Sequence, residues 1–188
     1  MKDDKELIER KVASRSIYKG KVLELCVDEI TLPDGNPAVR EYAKQVGAVA
    51  VLPLTEAGDV ICVRQYRYAH GRVMLEIPAG KLDSSDEDPE VGARRELREE
   101  TGAECKELIP LGGFIGSPAI LTEVVCLYLA RGLSFHAPDP DDDEFLDLCK
   151  FPLGELVDKV LAGEIEDGKT QTAILKAAEY LRREKEST

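Results

Sequence analysis

The segment 80–103, GKLDSSDEDPEVGARRELREETGA, constrains this chain more than any other stretch. It is punctuated as one short helix. Asp86 and Asp88 are available as N-caps, Pro89 suits the first turn, and Gly102 suits the stop. Glu96, Glu99 and Glu100 are three and four residues apart, so they share a face. Ala93 and Leu97, also four apart, form the buried side. Carboxylates crowded on one face repel each other and require cations. Hard divalent ions bound through oxygen are the natural choice. The competing reading is a solvated acidic helix with internal ion pairs, and Arg95 and Glu99 have the spacing for one.

The rest of the chain supplies mostly strands. The segment 1–9 is charged and frays or forms a short helix. Alternation over 21–30, the turn signal Pro33-Asp34-Gly35 and a return strand over 38–42 predict a hairpin. That lobe is too small to bury much by itself. The run VGAVAVLPL at 46–54 reads as a buried strand. Further strands are expected at 60–67, 74–78, 107–115, 124–130 and 145–151. A helix is expected over 153–161, ended by Gly163. A terminal amphipathic helix runs from Thr170 to about Lys185, with Ile174, Leu175, Ala178 and Leu181 as its buried stripe. Strands, helix, strands, helices in this order predict an α+β domain, with a mixed sheet between helical layers.

A length of 188 residues with 43% hydrophobic content supports one main domain and a small lobe. The boundary falls after residue 45: 1–45 is the N-terminal β lobe and 46–188 the main domain. A net charge of −12 argues against nucleic-acid or anionic-membrane binding. Five scattered cysteines without a CxxC read as reduced thiols in a cytoplasmic protein. No signal peptide or long apolar run is visible. His70 and His136 lack partners at ligand spacing and read as surface residues.

Gly80, Glu87, Arg95-Glu96, Leu97, Glu99-Glu100, Gly102 and Ala103 together resemble the Nudix box of the Nudix hydrolases. That pattern is Gly, five free positions, Glu, seven free positions, then Arg-Glu-aliphatic-any-Glu-Glu-any-Gly-aliphatic. Here six residues separate Gly80 from Glu87. The extra one falls in the polar loop 83–86, where insertion is cheap, and it leaves Glu87 or Asp86 for the early acidic position. The segments VRQYRY at 63–68, LEIPAG at 75–80 and SPAILTE at 117–123 resemble the ADP-ribose pyrophosphatase branch. Ala119 stands there in place of the branch's usual Gly. The ending at 163–170, which includes Lys169-Thr170, is similar to that branch too. A related branch acting on nucleoside-diphosphate sugars shares much of this layout.

The resemblance implies an α/β/α sandwich, a homodimer, and magnesium-dependent hydrolysis of ADP-ribose to AMP and ribose 5-phosphate, with manganese as the alternative ion. Its metal ligands are Glu96, Glu100, the Ala79 carbonyl and Glu144, with Glu99 a further candidate for metal or catalysis. Gly80, Glu87, Arg95 and Gly102 take structural places in the box. The base comes from the acidic loop 137–144. The branch pattern puts the base at Asp142 and a metal contact at Glu144. Asp142 is one methylene shorter than the usual Glu, so Glu144 is the competing base. Arg67, at the end of a strand leading toward the loop, is placed to hold a phosphate or ribose oxygen; Glu76 is expected to order the site or contact the nucleotide, and Pro118 to lie on the substrate side. Tyr18 or Tyr42 is placed to stack on adenine, although such tyrosines are more often core or hairpin packing than ligand contacts. Two rivals stand beside this reading: cleavage of other nucleoside-diphosphate sugars or dinucleotides, and a non-catalytic sensor of ADP-ribose-like ligands. A sensor has no need of Glu96, Glu99 and Glu100 together.

Overall fold

The structure is a computed structural model describing residues 1, 3–137 and 145–187. The chain forms two compact units. One comprises Met1–Val46 and Gly116–Glu123, the other Gly47–Ile115 and Val124–Thr188.

In the first unit, β1 (Arg10–Lys19), β2 (Glu24–Thr31) and β3 (Pro37–Lys44) make an antiparallel sheet in that order. β2 and β3 are the hairpin expected from the sequence, with Gly35 at φ 89° in its turn, a conformation that disfavours any side chain. β2 is central and alternates, burying Cys26, Asp28 and Ile30. Asp28 is buried because it is satisfied: it accepts from the Ser14 hydroxyl at 2.5 Å and the Tyr42 hydroxyl at 3.2 Å. The division at residue 45 read from the sequence leaves 116–123 in the larger part. Instead the backbone of Ala43 on β3 accepts from Thr122 N and donates to the Ile120 carbonyl, so this segment joins the first unit.

The second unit contains β4 (Ala48–Pro53), β5 (Asp59–Arg67), β6 (Arg72–Glu76), β7 (Ala79–Lys81), α1 (Pro89–Thr101), β8 (Ala103–Phe114), β9 (Val125–Phe135), β10 (Leu146–Pro152), α2 (Leu153–Leu161) and α3 (Gly168–Glu186). Its larger sheet has the order β7-β4-β9-β8, and β4 runs parallel to β9 while the other pairs are antiparallel. The mixed sheet is thus present. A second sheet, β10-β5-β6, is wholly antiparallel.

β4 explains the layering. It is apolar at every position, so both of its faces are covered. Val49 and Val51 pack with Ala93 and Leu97 of α1. Ala50 and Leu52 belong to the opposite cluster, with Leu127 and Leu129 of β9, Leu156 of α2, and Ile174 of α3. Helices therefore lie on both sides of the sheet. Leu97 is wholly buried, and removing a side chain of that size from water contributes about 2 kcal/mol.

Two helical details differ from expectation. α3 begins at Gly168, capped by the Asp167 side chain on Thr170 N. Its buried stripe is Thr170, Ala173, Ile174 and Ala177, with Leu181 packed at the edge. Leu175, expected inside, is 40% exposed. One residue is 100° of helix, and the stripe runs through positions 170, 173, 174 and 177. All five cysteines are free thiols, and burial pushes Cys62 up to about 12. No described helix is long and apolar enough to cross a membrane.

Candidate active site

The second unit brings α1 against the short strand β7. Asp88 caps α1 by accepting from Glu90 N at 2.9 Å, and Pro89 occupies its first position. Gly102 closes the helix at φ 67°, donating to the Arg98 carbonyl. These caps fix the register that turns Ala93 and Leu97 into the core. The same register buries Glu96 and Glu100, which are 7% and 3% exposed.

Both buried carboxylates lie against residues 79 and 80. Glu100 Oε2 accepts from Ala79 N at 3.1 Å. Glu96 occupies the space where a Cβ on Gly80 would stand, since such an atom would lie 2.1 Å from its Cδ. Glycine at this place is therefore a matter of room. Glu99 is less buried and reaches Arg95 at 3.1 Å, the i,i+4 pair expected from spacing.

Arg95 organises the acidic side. It donates to Glu96 at 2.7 Å and to the Lys81 carbonyl at 3.0 Å, and it pairs with Glu87 at 3.5 Å. Burial works against its charge, but Glu96, Glu87 and Glu99 outweigh that and hold its proton more firmly than usual. Glu87, which Arg95 contacts, also accepts from Asp83 N at 2.6 Å. That backbone bond, ahead of Arg95, lowers the Glu87 pKa. In the loop before Glu87, Asp86 N turns onto the Ser84 hydroxyl.

Glu96 and Glu100 fit a divalent cation. They are hard oxygen donors on one helix face beside a backbone strand, with the Ala79 carbonyl at the same place in the chain. Among the described residues, no three His, Cys, Asp or Glu side chains form a ready-made ligand cluster. A magnesium-type ion does not require one, because it keeps several waters and takes one or two protein carboxylates.

A second charged group stands at the end of β6. Glu76 is 1% exposed. It accepts from Arg67 Nε and Nη2, each at 2.7 Å, a side-on bidentate pair. Its Oε2 also pairs with Lys169 Nζ, which in turn meets Asp167 at 3.0 Å. Burial alone would raise the Glu76 pKa, but Arg67 and Lys169 override it and bring it down to about 2. The Arg67 guanidinium is held charged by Glu76 first, with Asp167 and Glu100 adding to the effect. Arg67 thus feels a carboxylate of the α1 face as well as its own partner.

The predicted site residues therefore separate into groups. Ala79 and Gly80 of β7, Glu87 in the loop before α1, and Arg95, Glu96, Glu99 and Glu100 of α1 are assembled together. Arg67 and Glu76 are bonded to each other. Tyr18, Tyr42 and Pro118 belong to the first unit. Tyr42 is engaged with Asp28, and the Tyr18 ring lies over Gly20. Asp142 and Glu144 lie outside the described residues. Sequence reasoning gave no role to Lys169 and missed Asp167. The available signal was Asp167 three residues before Thr170 at the start of an amphipathic stretch, an N-cap pattern.

A model of the NUDIX domain matches residues 44–172. An ADP-ribose pyrophosphatase of Bacillus subtilis (strain 168) is 41% identical over 172 residues, covering 90% of this chain and 92% of that one. A methanol dehydrogenase activator of Bacillus methanolicus is 40% identical over 168 residues, covering 88% of this chain and 90% of that one. A crystal structure of an ADP compounds hydrolase superposes with a TM-score of 0.84 at 19% identity, covering 94% of this chain and 95% of that one. At that identity the likeness is one of fold.

Proposed function

The chain belongs to the NUDIX domain family, and on that premise we propose that it is a divalent-metal-dependent pyrophosphohydrolase cleaving ADP-ribose to AMP and ribose 5-phosphate. The observation that carries this reading is the pair of buried carboxylates, Glu96 and Glu100, set against Ala79 and Gly80. Arg95 offsets Glu96 from one side, and the two carboxylates present the hard oxygen donors that a divalent ion takes. The similarity to the Bacillus subtilis pyrophosphatase supplies the substrate.

In this reading Glu96, Glu100, the Ala79 carbonyl and Glu144 hold the metal, which we take to be magnesium, with manganese as the alternative. When bound, such an ion neutralises charge on the pyrophosphate oxygens and lowers the pKa of bound water. Arg95 keeps the glutamates in place, through Glu96, Glu99 and the Lys81 carbonyl. Arg67 donates to a phosphate or ribose oxygen, its side-on pairing to Glu76 leaving Nη1 available. A carboxylate of the acidic segment, Asp142 or Glu144, takes the proton from the attacking water. Tyr18 or Tyr42 and the Pro118 segment contribute to the nucleoside side of a homodimeric enzyme.

The test is direct. Purified protein with ADP-ribose and magnesium should release AMP and ribose 5-phosphate in equal amounts, and chelation should stop the release. Failure to form AMP refutes the substrate assignment. A Glu100→Gln variant with full activity refutes the metal assignment, since the expected loss is about 100-fold. A panel of nucleoside-diphosphate sugars, ranked by kcat/KM, decides against the sugar-specific alternative. The Bacillus methanolicus relative offers a second reading, activation of an alcohol dehydrogenase. Adding this protein to purified methanol dehydrogenase and following turnover tests it.

A further inference from the structure

We infer that Lys169, anchored by Asp167, is a positioning residue that sets the Arg67 guanidinium through the buried carboxylate of Glu76. The inference rests on the reading above, in which Arg67 holds a substrate oxygen.

The geometry is a chain of alternating charge, Arg67–Glu76–Lys169–Asp167. Glu76 Oε1 takes Arg67 Nε, and Oε2 takes both Arg67 Nη2 and Lys169 Nζ. Arg67 uses two of its five N–H donors here, and Nη1 makes no hydrogen bond among the described residues. The Arg67 side chain remains 38% exposed, whereas that of Glu76 is 2% exposed and that of Lys169 is 14% exposed. Arg67 is therefore the exposed end, and Glu76 behind it is the most buried member of the chain. Two cations and two carboxylates balance, so no charge in the group is left uncompensated.

Lys169 is fixed from behind. It meets Asp167 Oδ2 at 3.0 Å, and that oxygen also accepts from Thr170 N at 3.0 Å and the Thr170 hydroxyl at 2.5 Å. Asp167 is the N-cap of α3, where a negative charge is favoured by the helix dipole. Thr170 Oγ1 in turn accepts from Ile77 N at 3.0 Å. Adjacent residues 169 and 170 thus hold adjacent residues 76 and 77. The terminal torsion of a glutamate is broad. With Arg67 as its only partner, the Glu76 carboxylate can rotate together with the guanidinium. With Lys169 on Oε2, both the plane of the carboxylate and the direction of Nη1 are set. Lys169 itself touches no substrate in this scheme.

The experiment is a double-mutant cycle read in kcat and KM separately, on the full chain with ADP-ribose and magnesium. Arg67→Gln is expected to lower kcat/KM by about 100-fold. Lys169→Met is expected to raise KM by about 10-fold, the scale seen when a supporting partner is lost, with kcat changing less than about threefold. Lys169→Arg, which keeps the cation, should restore KM. In the Arg67→Gln background, Lys169→Met should add nothing further to the loss in kcat/KM, because its effect passes through Arg67. Thermal unfolding confirms that each variant is folded, and Lys169→Gln replaces the methionine variant if that one does not fold. Additive losses in the cycle overturn the inference, as does an unchanged KM in the folded Lys169 variant while Arg67→Gln is impaired. An Arg67→Gln variant with wild-type kcat/KM overturns the substrate role of Arg67 and this inference with it. Absence of AMP from the wild-type protein overturns the functional reading itself.

Discussion

Replacing Gly80 by Ala should destabilise the fold by a specific and removable clash. The added Cβ would stand 2.1 Å from Glu96 Cδ and Oε1 and 2.2 Å from Oε2. Ordinary carbon contacts begin near about 3.5 Å, so the carboxylate must retreat by roughly 1.4 Å. It is poorly placed to do so. Glu96 is 7% exposed and accepts from Arg95 Nη1 at 2.7 Å. Loss of one hydrogen bond between charged groups costs about 1.5–3 kcal/mol. Alanine's smaller unfolded-state entropy offsets about 0.4–1 kcal/mol of that. The net is a loss of about 1–2 kcal/mol, or a fall in Tm of roughly 2–8 °C for a domain of this size. The assay is urea and thermal unfolding in a chelating buffer, repeated in a Glu96→Ala background. With the carboxylate gone, Gly80→Ala should cost almost nothing, giving a coupling of about 1 kcal/mol or more. Additive effects, or a wild-type Tm for the single variant, refute the argument that Gly80 exists to seat Glu96.

Further perturbations reach the same region from other sides. Thr170→Val keeps shape but removes the acceptor of Ile77 N at a fully buried position, so it should cost about 1–3 kcal/mol; an unchanged urea midpoint refutes this. Glu76 falls from an ordinary 4.5 to about 2 in the fold, so its stabilisation is present above pH 4.5 and is lost as the pH drops toward 2. That contribution is roughly 3 kcal/mol, and Glu76→Gln should flatten the slope of unfolding free energy over this window; an unaltered slope refutes the assignment. In the acidic segment, Asp142→Asn and Glu144→Gln should separate in the pH–rate profile. The variant lacking the base loses the acid limb, and the other keeps it. Two variants with wild-type profiles place the base elsewhere.

The sequence exposed the local punctuation of this protein better than its long-range contacts. α1 was legible almost to the residue, because Asp88, Pro89 and Gly102 are cap residues whose chemistry acts over a single turn. The run 46–54 was legible as a buried strand but not as the middle of a sheet. Being apolar on both faces, it carried no alternation to say that Val49 and Val51 meet α1 while Ala50 and Leu52 meet α2 and α3. The stripe of α3 was misassigned at Leu175, since leucine looked more apolar than Ala173 or Thr170. Small residues nonetheless fit where α3 packs close to the sheet. Segment 116–123 read as a loop of the main domain, and only its backbone bonds to Ala43 place it elsewhere. Of the site, the α1 carboxylates and the Arg67 and Glu76 positions could be named. The Glu76–Lys169 bond spans 93 residues and has no local signature.

The acidic helix depends on the segment that runs beside it. From 76 to 80, every residue is fixed by a partner from one of four other elements. Glu76 is held by Arg67 and Lys169, and Ile77 N by Thr170. The Pro78 carbonyl is bonded to Val51 N, Ala79 N to Glu100, and Gly80 lies flat against Glu96. β5, α3, β4 and α1 all close on five consecutive residues. Proline fits the third of these because Pro78 has no N–H to satisfy and only its carbonyl is needed. Glycine fits the fifth because a carboxylate occupies its side-chain space. The helix supplies the acidic groups, and segment 76–80 links them to the partner of Arg67. It follows that perturbations at either end of this segment should not stay local. A change at Thr170 of α3, which holds Ile77 N, should therefore be felt at Ala79 and Gly80, read as a shift of their amide signals; unshifted amides refute it.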